Sequence, residues 1–237
     1  MSWTWSASGR STSTTGRTTS AEPAALDAAG IDRRFVFRDD DHLPGTCVSV
    51  MRDGERTLLT HAGANTTFAD HLDGAFDELA DYLTRARFLH VTSFLDDRSP
   101  GRLRALLTAV KAKRPQTLIS LDPGHVWCTN RTADIDGILR LADFLLVNRR
   151  EFEALGDLPG NAVTVVKQPS GTRWHGPGGD GFRPQKPLPT AEIGDATGAG
   201  DVFAAGLLTE LCRDPTRLGP GCDLGMHLAR EKLRRAV

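Results

Sequence analysis

No stretch of this chain approaches the roughly 20 consecutive apolar residues that a bilayer-spanning helix needs, and the N-terminus lacks the apolar core of a secretory leader. Charge of one sign is also lacking. The 29 Lys and Arg are balanced by 30 Asp and Glu, a net charge of −1, so nothing electrostatic asks for nucleic acid or an anionic membrane. The four cysteines (Cys47, Cys128, Cys212, Cys222) stand apart with no C-x-x-C pair. That spacing argues against a zinc site or a disulfide framework and makes a reducing cytoplasm the expected compartment. The seven histidines show no metal-ligand spacing. No G-x-x-x-x-G-K-[ST] run occurs, which removes the P-loop enzymes.

What is present fits one soluble domain with a modest appendage: 237 residues, 39 % apolar and 25 % charged. Residues 1–20 are almost all Ser, Thr, Gly and Arg, with two tryptophans. So little apolar surface does not offset the entropy of ordering, so the expectation is a disordered or non-native segment. From Ala24 the chain reads as globular to residue 237. AALDAAGI is the end of a helix closed by Gly30. The runs RRFVFR, TCVSVM and RTLLTH are β-rich, and Asp53-Gly54 between the last two signals a hairpin, so a small β-rich lid is expected over about 34–61.

After Gly63 the rhythm changes. Helical patterns over 72–86, 99–113, 131–142 and 149–155 alternate with the apolar runs FLHVTSF, TLISLD, FLLVN and AVTVVK. Such alternation implies a mostly parallel sheet with helices on both faces, a three-layer α/β/α core over about 63–211. A further helix starts in the glycine-rich segment at Gly198. The ending, LGPGCDLGMHLAREKLRRAV, reads as a loop followed by a basic amphipathic helix. Gly176 to Gly181 satisfies G-x-G-x-x-G, but Phe182-Arg183-Pro184 follows instead of a helix. It is read as a loop between strands, which leaves a dinucleotide-dependent oxidoreductase with little support.

The chemistry concentrates in Gly194-Asp195-Ala196-Thr197-Gly198-Ala199-Gly200-Asp201, followed by an apolar helix. Small residues at 198–200 allow a tight turn and close approach of a ligand to the backbone. The N–H groups and dipole of the new helix favour an anion there. Asp201 puts a carboxylate beside that anion hole, an arrangement suited to phosphoryl transfer to a hydroxyl. Each feature has a plainer reading. Asp201 can be a first-turn capping charge, and Asn148 with Glu151 can be a capping box. Asp122-Pro123 and Gly63-Ala64-Asn65 can be turns.

The run Asp195-Ala-Thr-Gly-Ala-Gly-Asp201-Val-Phe resembles the signature of the ribokinase-like (PfkB) sugar and nucleoside kinases. Gly54-Glu55-Arg56, Gly63-Ala64-Asn65, Asp122-Pro123 and Asn148-x-x-Glu151 match further family motifs in order, and the resemblance covers 24–211. It implies a ribokinase-like fold and ATP-dependent transfer of a γ-phosphoryl group to a sugar or nucleoside. Asp201 would be the general base, and the backbone of Gly198, Ala199 and Gly200 the anion hole. Glu151 with Asn148 would hold Mg²⁺ and the ATP phosphates, and Thr197, Lys167 and Gly171 would lie on the nucleotide side. Asn65 would face the sugar, Asp195 a monovalent cation such as K⁺, and two lids would pair in a homodimer. The resemblance stops short at both ends: the family's opening strand and Gly-Gly segment have no counterpart before Ala24, and the pattern is lost after Leu211. Pro169 also stands where a glycine is common. A shortened kinase is therefore expected, and a catalytically weak or inactive remnant serving as an interaction module is the competing reading.

Overall fold

The computed structural model describes residues 21–234 apart from Arg38, Asp53, Gly54, Leu95, residues 157–160 and Asp195. The expectation for residues 1–20 lies outside the described residues. Helix α1 (Ala21–Ala28) ends as its sequence requires. Gly30 takes a φ of 66°, its N–H donates to the Asp27 carbonyl, and the Ile31 N–H donates to that of Leu26. The run RRFVFR, expected to be β-rich, is a turn and irregular backbone where it is described. Its aromatic side chains dock on helices and enter no ladder: the Phe35 ring lies 4.9 Å from that of Tyr82, and Phe37 stacks on His71 at 4.6 Å.

The hairpin forms from β1 (Thr46–Arg52) and β2 (Glu55–His61) as a separate antiparallel sheet. Arg52 pairs with Glu55, which puts the connection at Asp53-Gly54, themselves outside the described residues. Val48 and Leu59 sit opposite each other and face solvent.

Beyond a 3-10 turn at Gly63–Thr67 come α2 (Phe68–Gly74), α3 (Phe76–Leu83), β3 (Phe88–Thr92), α4 (Ser99–Lys113) and β4 (Leu118–Asp122). Then follow α5 (Gly124–Thr129), α6 (Ala133–Leu141), β5 (Phe144–Asn148), α7 (Arg149–Leu155) and β6 (Val163–Gln168). The chain ends with β7 (Gly171–His175), β8 (Gly181–Pro184), α8 (Ala199–Arg213) and α9 (Leu218–Arg234). Strands β3 to β8 form one sheet in chain order. β3 to β6 run parallel, and β7 and β8 are added antiparallel. TLISLD and FLLVN are parallel neighbours, with Ser120 opposite Phe144.

Because successive strand residues point to opposite faces, these apolar runs feed two cores. Leu89, Ile119, Leu121, Leu145 and Val147 belong to the core that includes Leu79 of α3, Leu107 of α4 and Ile138 of α6. Phe88, Phe144, Leu146 and Val165 belong to the other, with Phe203 and Leu207 of α8 and Met226 of α9. The architecture is the expected three-layer α/β/α. Continuous apolar strands bury both faces, as parallel sheets must.

Three local readings are corrected. The helix expected over 72–86 is two helices, broken at Ala75 (φ −125°, ψ 21°) directly after Gly74, a poor helix former. Asp122-Pro123 opens a helix, α5, and not only a turn. Leu218 to Cys222, expected as a loop, is the start of α9, with Gly219 and Gly221 buried in it. A Cβ at Gly221 would meet Leu207 Cδ1 at 2.8 Å, and one at Gly225 would meet the Phe203 carbonyl at 2.7 Å. These glycines serve helix packing, not chain reversal. Gly176 to Asp180 is the loop between β7 and β8, as read, and Gly181 opens β8. Among the described residues no helix is long and apolar enough to cross a membrane.

Candidate active site

The carboxyl ends of four parallel strands come into line through the ladder register: Thr92 pairs with Asp122, and Asn148 with Lys167. In open α/β sheets ligands bind at this edge. A cleft of about 460 Å³ opens here, with Asp122, Asn148, Glu151 and Lys167 on its polar side and Ala199 and Gly200 of α8 against it.

Helix α8 starts from a turn in which Gly198 is left-handed (φ 77°), a conformation that costs a residue with a Cβ energy. The Ala199 N–H closes that turn on the Ala196 carbonyl at 3.2 Å. Of the three expected anion-hole residues, Ala199 therefore has its own N–H engaged within the turn. Asp201 lies in the first turn and is exposed, with Oδ2 at 3.8 Å from the position of a Cβ at Gly198. Thr197 is exposed in the same turn. Asp195 is outside the described residues, and with it the place expected for a monovalent cation.

Asn148 and Glu151 form the capping box of α7. The Asn148 Oδ1 accepts the Glu151 N–H at 2.9 Å, and a Glu151 carboxylate oxygen accepts the Asn148 N–H at 2.8 Å. Both residues also line the cleft, so the structural and the ligand-binding readings are compatible. Glu151 is a buried residue, 7 % exposed. Among the described residues no three His, Cys, Asp or Glu side chains converge as a metal cage. This donor set fits Mg²⁺ held by a single carboxylate together with substrate phosphates and water, its usual habit.

Lys167 reaches across the end of β5 to Asp122, Nζ to Oδ2 2.8 Å, both side chains more than four-fifths buried. Its ammonium stands 3.7 Å from where a Cβ at Gly200 would be. His90 of β3 feels the same group. Burial pushes its imidazole below the ordinary value, opposed by the nearby negative charge of Asp122, while Lys167 lowers it and Asp201 raises it. Its Nδ1 meets Ser120 Oγ at 3.1 Å. Burial, aided by the charges of Glu151 and Asp122, pushes the Cys128 thiol up to about 12, so no thiolate chemistry belongs to this site.

Two expected residues stand elsewhere. Gly171 is packed against β8, where a Cβ would fall 2.3 Å from the Arg183 carbonyl, and its neighbours Gln168, Pro169 and Thr172 line the cleft. Asn65 sits in the 3-10 turn at the foot of the hairpin, where its Nδ2 donates to the Ala62 carbonyl at 2.7 Å. Sequence reading missed the far wall: Leu188, Ile193, Met226, Ala229 and Leu233 make an apolar slot. The spacing 226, 229, 233 on one helix was the available signal.

Residues 23–230 match the pfkB family of carbohydrate kinases. An uncharacterized sugar kinase of Archaeoglobus fulgidus is 28 % identical over 197 residues, 78 % of this chain and 74 % of its own. Adenosine kinase of Saccharomyces cerevisiae is 25 % identical over 226 residues, 86 % of this chain and 64 % of its own. Among solved structures, Anopheles gambiae adenosine kinase in complex with a di(adenosine) tetraphosphate superposes with a TM-score of 0.72 at 21 % identity, over 84 % of this chain and 65 % of its own. Burkholderia thailandensis nucleoside kinase in complex with inosine gives 0.69 at 18 %, over 91 % and 71 %. These two structures speak to the fold alone. The chain thus spans somewhat under two thirds of the yeast and mosquito enzymes. With that match running over most of its length, the chain belongs to the pfkB family of carbohydrate kinases.

Proposed function

We propose that this protein transfers the γ-phosphoryl group of ATP to a hydroxyl of a sugar or nucleoside. The observation that carries the reading is the first turn of α8: Gly200 stands beside the Lys167 ammonium, Glu151 lines the same cleft, and Asp201 follows Gly200 in the turn. The apolar slot at Met226, Ala229 and Leu233 suits a purine ring, and the polar side suits its phosphates.

In this arrangement the terminal phosphoryl group lies toward the α8 N-terminus, where helix N–H groups and the dipole offset its charge. Asp201 accepts the proton of the acceptor hydroxyl as its oxygen attacks phosphorus. The bond to the bridging oxygen breaks, and ADP leaves with that electron pair. Glu151 would hold Mg²⁺, which supplies charge neutralisation to the phosphates when bound. Asn148 fixes the Glu151 backbone, and the capping box holds the carboxylate in one orientation. Relatives named as adenosine, nucleoside and sugar kinases set the range of acceptors to try.

The test is a panel of sugars and nucleosides incubated with ATP and Mg²⁺, using wild type and Asp201→Asn. The variant keeps the helix start but loses the base. Turnover should fall roughly 10²–10⁴-fold, with ATP affinity by calorimetry little changed. An Asp201 that only caps α8 would instead cost about 1 kcal/mol of stability and spare turnover. Absence of both phosphoryl transfer and ATP binding in the wild type would leave the interaction-module reading in its place.

A further inference from the structure

Lys167 is electrostatically odd. Its side chain is mostly buried and its ammonium faces the first turn of α8, the positive end of a helix dipole. Like charges placed this way repel, and two partners could offset the cost. One is Asp122, which already holds the ammonium at 2.8 Å. The other is an anion between the ammonium and the helix.

A purely structural salt bridge explains the pair poorly. Strands β4 and β6 are already joined through β5, with ladders on both of its sides. A packed apolar pair would serve a buried position at least as well as ions. The pair also opens onto the cleft, since Asp122 and Lys167 both line it. Residue 200 has no side chain, so an oxygen placed there can meet both Nζ and the helix backbone.

Nearness to Asp201 decides which phosphate this is. Asp201 follows Gly200 in the first turn of α8 and the Lys167 ammonium stands beside Gly200, so an anion held there is the phosphoryl group next to the base. The charges of Asp122, Lys167 and Asp201 all bear on the one ring of His90.

We infer that Lys167 is the residue by which this cleft prefers a nucleoside triphosphate over the diphosphate, and that Asp122 is the positioning residue that holds its ammonium over the first turn of α8. The inference rests on the phosphotransfer reading and deepens it. Before nucleotide enters, Asp122 neutralises Lys167. When a terminal phosphoryl oxygen arrives, Lys167 shares its remaining N–H donors with it. A diphosphate ends short of that point.

The test measures ATP and ADP affinities by calorimetry for wild type, Lys167→Met, Asp122→Asn and the double variant. Lys167→Met should weaken ATP binding roughly ten- to a hundredfold, the loss expected for one charge-assisted hydrogen bond, with ADP affinity within about threefold. Asp122→Asn should lower the ATP-over-ADP preference by a smaller factor. The double variant should match Lys167→Met, because Asp122 acts through Lys167; a structural pair would lower both nucleotides alike. If Lys167→Met fails to fold because Asp122 is left as an uncompensated buried charge, the double variant carries the measurement. A preference for ATP that survives in the variants overturns the inference and leaves the phosphotransfer reading standing. A wild type that binds neither nucleotide overturns both.

Discussion

Gly206 of α8 lies against the backbone of α9, and this contact makes the nucleotide wall testable from outside the site. A Cβ added at 206 would stand 2.7 Å from the Gly225 Cα and 2.8 Å from its nitrogen. Carbon atoms in contact prefer 3.5–4.0 Å, so Gly206→Ala must part the helices by about 1 Å. No rotamer change can relieve a clash with backbone. Alanine returns about 1 kcal/mol of helix propensity, and overpacking costs about 1–3 kcal/mol, here toward the upper end. The net expectation is a loss of about 1–2 kcal/mol, or ~2–8 °C in Tm for a chain of this size. Because α9 carries Met226, Ala229 and Leu233 into the cleft, ATP affinity should fall as well. Gly74→Ala, where nothing lies within 4 Å of the added atom, is the control and should be neutral or slightly stabilising. The assay is thermal unfolding with calorimetric ATP titration. A Gly206→Ala protein that melts at or above wild type would refute the close approach of α8 and α9.

Two further outcomes follow from the site. His90 is half-buried with its pKa lowered from 6.5, so the unfolded chain takes up the proton first as pH falls. The associated stability is present above about pH 6.5 and lost on acidification below it. Tm should therefore decline from pH 7 to pH 5, and His90→Gln should flatten that slope; an identical slope would remove His90 as its source. Glu151→Gln keeps an acceptor for the Asn148 N–H, so Tm should hold, while the Mg²⁺ concentration needed for half-maximal turnover rises several-fold. An unchanged Mg²⁺ dependence would take Glu151 out of the cation site.

Helices 99–113 and 149–155 were legible to the residue, because their ends carry local signals: Pro100 in the first turn of one, the Asn148–Glu151 capping box of the other. The Gly30 cap and the hairpin at Asp53-Gly54 were readable for the same reason, since each depends on a few consecutive residues. Four apolar runs of five to seven residues also announced a buried parallel sheet, and the glycine-rich segment announced a helix start.

Tertiary structure decided the rest, wherever the partner is far away in the chain. Phe35 and Phe37 look like strand residues, but Tyr82 and His71 offered them better burial than a ladder did. Gly221 and Gly225 look like loop punctuation, but each faces α8 too closely to admit a Cβ, and helix packing overrode propensity. The Lys167–Asp122 pair joins residues 45 apart, brought together by strand register. The helix that carries part of the slot, α9, meets α8 closely at Gly206 and Gly225. Residue types and short spacings specify which chemistry the chain can perform; the ladder register and the helix contacts specify which side chains meet to perform it.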